Sequence, residues 1–97
     1  MNQKEEDKAT LTAIMERFNN WRYPRAAAIL ERLQKGEQAT KADLEFLDRA
    51  SAAAQEVMPI IERNPEYLEF ASKAISLYHD ITELALKNEQ LKDHKSS

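Results

Sequence analysis

One glycine, Gly36, and three prolines, at positions 24, 59 and 65, are the only strong breakers of regular structure in a chain of 97 residues. The long stretches between them are rich in Ala, Leu, Glu, Lys, Gln and Arg, which favour helix, and they offer almost nothing from which to build tight turns between strands. The fold class expected is all-α: an up-down-up bundle of three long helices, the first bent or split near Pro24, giving four helices if it splits. The length suits one hydrophobic core, because two halves would each bury too little to be stable. The division expected is a disordered N-terminal segment at 1–8, a single helical domain at 9–91 and a disordered tail at 92–97.

The first periodic segment begins near Lys8 or Ala9, with Asp7 or Thr10 as its cap. Leu11, Ile14, Met15, Phe18 and either Trp21 or Arg22 recur on one face at three- and four-residue steps. Asn19 and Asn20 are weak helix formers, and Pro24 removes a backbone donor and disfavours the helical basin at Tyr23. The pattern resumes in phase at Ala26, Ile29, Leu30 and Leu33. One bent helix from about 9 to 35, or two shorter ones with Pro24 opening the second, both satisfy this spacing. Gly36 follows the basic turn Arg32 to Lys35 and marks the end.

Thr40-Lys41-Ala42-Asp43 is a capping-box variant that starts a second helix at about Lys41, with Leu44, Leu47, Ser51, Ala54, Met58 and Ile61 facing inward. Pro59 implies a kink or an early end. A kink is favoured, because Ile60, Ile61 and Glu62 continue without turn residues. Asn64-Pro65-Glu66 reads as cap, first helical position and first-turn acid of a third helix running to about Gln90. That helix carries two apolar seams, one at Phe70, Ala74, Leu77, Ile81, Leu84 and Leu91, the other at Leu68, Ala71, Ile75, Tyr78 and Ala85.

Two seams require two neighbours, and the bent second helix leaves the C-terminal half of the third short of cover. Leu77, Ile81, Leu84, Asn88 and Leu91 are therefore the candidate partner or dimer interface, with Asn88 fixing register as a buried polar residue. The competing reading is that the first helix covers this stripe.

Charge is uneven along the chain. Arg17, Arg22, Arg25, Arg32 and Lys35 against Glu16 and Glu31 make 16–35 locally basic at +3, whereas 36–70 is locally −5 within an overall −3. Arg17, Trp21, Arg22, Tyr23 and Arg25 form the one cluster with recognition-type composition, since guanidiniums fork onto anions and flat rings stack on bases or on a partner's apolar groups. The structural reading of this cluster is that Trp21 closes the core while the arginines bridge to the acidic second helix. Possible anion or partner recognition is the functional alternative.

Enzymatic signatures are few. Without cysteine there is no disulfide framework, zinc knuckle or thiol nucleophile, and a single glycine cannot form a phosphate loop. His79 and Glu83, four apart, read as an exposed ion pair rather than two ligands of a metal. Asp43, Glu45, Asp48 and Glu56 read as a solvated face. No catalytic residue, metal or cofactor is expected, and neither a signal peptide nor a membrane span is evident. The expectation is a cytoplasmic, non-enzymatic interaction or regulatory module whose partner is a protein, first of all itself as a homodimer. A nucleic-acid-binding accessory using Arg17 to Arg25 is the alternative, followed by a small helical enzyme with an anionic substrate at a dimer interface.

Overall fold

The computed structural model describes residues 2–95, with side chains through Leu91. Helix α1 spans Gln3–Arg17, a π-helical turn Phe18–Arg22 leads directly into α2 at Tyr23–Gln34, α3 spans Lys41–Arg63, and a 3-10 turn Pro65–Tyr67 opens onto α4 at Leu68–Lys95. These make three rods in an all-α bundle, as expected. Short connections at 35–40 and at Asn64 make α3 antiparallel to both neighbours. The radius of gyration is 16.0 Å, against about 13 Å for a globule of 100 residues. The bundle is accordingly slender, 61 Å long and 21 Å by 19 Å across. Among the described residues no helix is long and apolar enough to cross a membrane.

The first helix begins earlier than Lys8 or Ala9. Asn2 caps it, its side chain accepting from the Glu5 N–H at 2.9 Å, with Glu5 and Glu6 favourably placed in the first turn. Periodicity overlooks this start because its inward residue is polar: Asp7 is buried. The expectation for the tail meets a helix continuing to Lys95; Met1, Ser96, Ser97 and the side chains from Lys92 onward lie outside the described residues.

Pro24 neither splits the first rod nor ends it. Just before the proline the Tyr23 N–H reaches back five residues to the Phe18 carbonyl, so the ladder widens into a π turn and continues. Pro59 is likewise carried inside α3. At the end of α2, Gly36 takes φ +91°, the Gly36 N–H donates to the Leu33 carbonyl at 3.0 Å and the Glu37 N–H to the Arg32 carbonyl at 3.2 Å, a Schellman closure. The Thr40–Asp43 box is present in both directions, at 2.9 and 3.1 Å. Asn64 departs from its expected role as a cap. Its side chain turns back, donating to the Ile60 carbonyl at 2.9 Å and to Asp7 at 3.0 Å, and Pro65 opens the 3-10 turn rather than α4 itself.

The inward stripe of α4 combines the two anticipated seams. Ala71, Ala74, Tyr78, Ile81, Ala85 and Asn88 are the buried positions, spaced 3, 4, 3, 4, 3, and Phe70, Leu77 and Leu84 flank them half-buried. On α3 the buried positions are Asp43, Leu47, Ala50 and Ile61, so Leu44 faces outward instead of inward. The core falls into two clusters. One joins Ala26, Ile29 and Leu33 to Leu47, Tyr78 and Ile81; the other, nearer the α3–α4 corner, joins Leu11, Ile61 and Ala71.

Candidate interaction surface

At the head of the π turn one aromatic ring enters the bundle. Phe18 points inward, its ring edge-to-face with Phe70 at 5.2 Å and with Tyr78 at 6.3 Å, and tilted against Tyr23 at 6.0 Å. Trp21 is 74% exposed and Tyr23 51% exposed. The expectation that Trp21 closes the core is therefore corrected: Phe18 holds the inward position that its spacing gave it, and Arg22, the other candidate for the next inward position, continues that face while Trp21 faces solvent.

The arginines of the cluster also diverge from the bridging pattern. Arg25 sets its guanidinium over the Phe46 ring of α3, 5.0 Å from the centroid, a cation–π contact. Arg22 is half-buried and lies near enough to Tyr78 for its charge to oppose the upward push that burial gives the phenol pKa. Arg17 is exposed. Among the described residues none of these three arginines forms an ion pair with a carboxylate. The bridge from α2 to α3 is made by Arg32, whose Nη2 donates to Asp43 Oδ1 at 2.7 Å. This bond, followed by the Thr40 backbone bond, holds the Asp43 carboxyl below its usual range despite burial. Asp43 is thus no part of the solvated face, which keeps Glu45, Asp48 and Glu56.

The C-terminal stripe is largely taken up within the chain. Ile81 is fully buried in the main core cluster, and Leu77 and Leu84 pack half-buried against it. Asn88 donates from Nδ2 to the Leu33 and Glu37 carbonyls, both at 2.8 Å. Its anticipated role in dimer register is corrected: its donor ties α4 to the end of α2, joining the Gly36 N–H on the Leu33 carbonyl and reaching the Glu37 carbonyl just beyond the helix. Leu91 stays 50% exposed, and the apolar surface left nearby is Leu86 at 54% with Leu44 of α3 at 48%. These two line a shallow groove with Gln38, Ala39, Thr82, Ala85 and Glu89.

Sequence reasoning missed a clasp at the opposite end of the bundle. Asp7 accepts from Arg63 Nε and Nη2, Asn64 Nδ2 and Gln3 Nε2, each at 3.0 Å. These donors, Arg63 first, hold its carboxyl well below the usual carboxylate range. An Asn at position 2 as a cap and an acid one helical turn before Leu11 on the same face were the available signals. His79 and Glu83 form the exposed pair expected of them, at 3.0 Å. Among the described residues no three His, Cys, Asp or Glu side chains converge as a metal site would require. No protein-family model matches the chain, and no curated protein or solved structure compared with it matches either.

Proposed function

We propose that this protein is a non-enzymatic helical interaction module that docks through the outer face of the π turn, and that its partner is a second copy of the chain. The observation that carries this reading is the exposure of Trp21, the chain's one tryptophan, at 74% beside half-exposed Tyr23. Leaving the largest apolar side chain in water gives nothing to the monomer, whereas Trp, Tyr and Arg are the residues that dominate binding hot spots. π turns also recur at functional positions. A second copy suits this face because Arg17 and Arg25 flank it while α3 carries exposed Glu45, Asp48, Glu56 and Glu62. Light scattering on the full chain tests the reading. A dimer mass at high concentration that returns to a monomer mass in Trp21→Ala is expected. A strict monomer at every concentration contradicts self-association.

A second reading is a nucleic-acid-binding accessory, favoured by Arg17, Arg22 and Arg25, which pair with no carboxylate among the described residues, beside two exposed rings on which bases can stack. Titration of a single-stranded oligonucleotide separates it from the first. Affinity falling steeply with salt and reduced by Arg17→Ala with Arg25→Ala supports nucleic-acid binding, and no binding at low salt removes it.

A further inference from the structure

Helix α1 gives the core fewer buried apolar side chains than any other α-helix of the chain. Of its 15 residues only Asp7 and Leu11 are buried, and one of the two is a carboxylate. In 12 residues α2 buries Ala26, Ile29 and Leu33. The main core cluster contains no residue of α1, and the smaller one takes only Leu11 from it, with Ile14 packed at its edge. The seat beneath α1 is also incompletely filled. Where α1, α3 and α4 run side by side, about 50 Å³ of room is left among Leu11, Ile14, Ala53, Val57 and Ala71, which reduces the contact α1 makes with the two helices below it.

The polar attachment of α1 sits at one end. Among the described residues, its only hydrogen bonds across the bundle are those that Asp7 accepts from Arg63 and Asn64 at 3.0 Å. Eleven residues later, about 16 Å along the rod, Phe18 begins the π turn. The helical ladder is weakest there. The Tyr23 N–H reaches back five residues to the Phe18 carbonyl, and Pro24 brings no N–H to the Asn20 carbonyl. Phe18 itself is anchored on Phe70 and Tyr78. A polar latch and a weak point in the backbone thus bracket a helix with little apolar hold of its own.

We propose that α1 is a latched arm: it opens as one unit about the π turn when the Asp7–Arg63 fork breaks, while α2, α3 and α4 stay folded. A helix of this length is marginal in water by itself, so leaving its seat melts it. Opening uncovers Val57, Ile61 and Ala71, whereas the main core cluster keeps every member. The device goes beyond the docking reading and does not rest on it, since it requires no second copy.

Hydrogen exchange of the full chain, resolved residue by residue by NMR, tests it. Amides freed by a local opening report the free energy of that opening, and the slowest core amides report global unfolding. The amides from Asp7 to Arg17 are expected to share one level of protection, at least tenfold below the best-protected amides of α3 and α4. Gly36→Ala, beyond the far end of α2, is expected to lower core protection about fivefold. It leaves α1 protection unchanged, because α2, α3 and α4 are folded whether the arm is closed or open. Asp7→Asn lowers α1 protection at least tenfold, and the same spectra show α2 to α4 still folded. The proposal is overturned if α1 amides match those of α3 and α4 and fall with them in Gly36→Ala. It is equally overturned by protection that rises steadily from Asp7 to Arg17, which is fraying from the end, or by unchanged α1 protection in Asp7→Asn.

Discussion

Arg63 closes a two-pronged fork on Asp7 across 56 positions of sequence, Nε to Oδ2 and Nη2 to Oδ1, both at 3.0 Å. The carboxylate is buried, and the contact fastens the first turns of α1 to the end of α3, where only Leu11, Ile61 and Ala71 form the buried apolar core. Because that core cluster is small, polar geometry carries much of the attachment of the N-terminal end.

The clasp makes stability depend on pH with a definite sign. Asp7 and Asp43 both have carboxyls held below the ordinary range by guanidinium hydrogen bonds. A depressed folded pKa gives stability that is full above the unfolded value, near about pH 4, and is lost as pH falls toward the folded value. Denaturation midpoints measured from pH 7 downward are expected to hold until about pH 5 and then decline. In Asp7→Asn the midpoint is lower at pH 7 and the decline below pH 5 shallower, since one of the two contributing carboxylates is gone. An unchanged acid limb in this variant contradicts the assignment.

Asn88 is expected to matter for the fold rather than for assembly. Asn88→Leu leaves the Leu33 and Glu37 carbonyls without their side-chain donor. The Leu33 carbonyl keeps the Gly36 N–H, so the loss is expected at the lower end of the range for a buried hydrogen bond, about 1 kcal/mol. Urea unfolding of the variant reads this directly, and its mass in solution is expected to equal that of the parent chain.

At Gly36 the cost of substitution is confined to the backbone. Nothing lies within 4 Å of an added Cβ, yet φ is +91°. Gly36→Ala is expected to lower stability by roughly 1 kcal/mol through the left-handed conformation alone. Gly36→Asn is expected to lower it less, with thermal unfolding as the measurement.

The features legible in the sequence were local ones. The Thr40–Asp43 box, the stop at Gly36 and the boundary at Asn64-Pro65 each depend on residues within a few positions, and each lies where the pattern placed it. What escaped depended on contacts far apart in sequence or on a choice between adjacent faces. Two apolar seams on α4 were visible, but the buried stripe takes Ala71, Tyr78 and Ala85 from one and Ala74 and Ile81 from the other, because α2 and α3 flank a line between them. The three- and four-residue steps left Trp21 and Arg22 as equal candidates for the position after Phe18, and hydrophobicity favoured Trp21, whereas the chain turns Arg22 inward and leaves Trp21 in solvent. The Asp7–Arg63 fork and the Asn88 closure span more than 50 residues and leave no periodic trace.

Trp21 gives the proposed docking face its own reporter. Because the side chain is exposed and makes no core contact, Trp21→Ala is expected to change the stability of the monomer by no more than about 0.5 kcal/mol. The most direct test of the account follows the fluorescence of this one tryptophan in the intact chain as concentration rises. Docking through the π turn predicts a shift of emission to shorter wavelength and protection from acrylamide quenching, both reaching a plateau as copies associate. Emission and quenching that stay those of a water-exposed indole at every concentration, while the chain nonetheless dimerises or remains a monomer, contradict it.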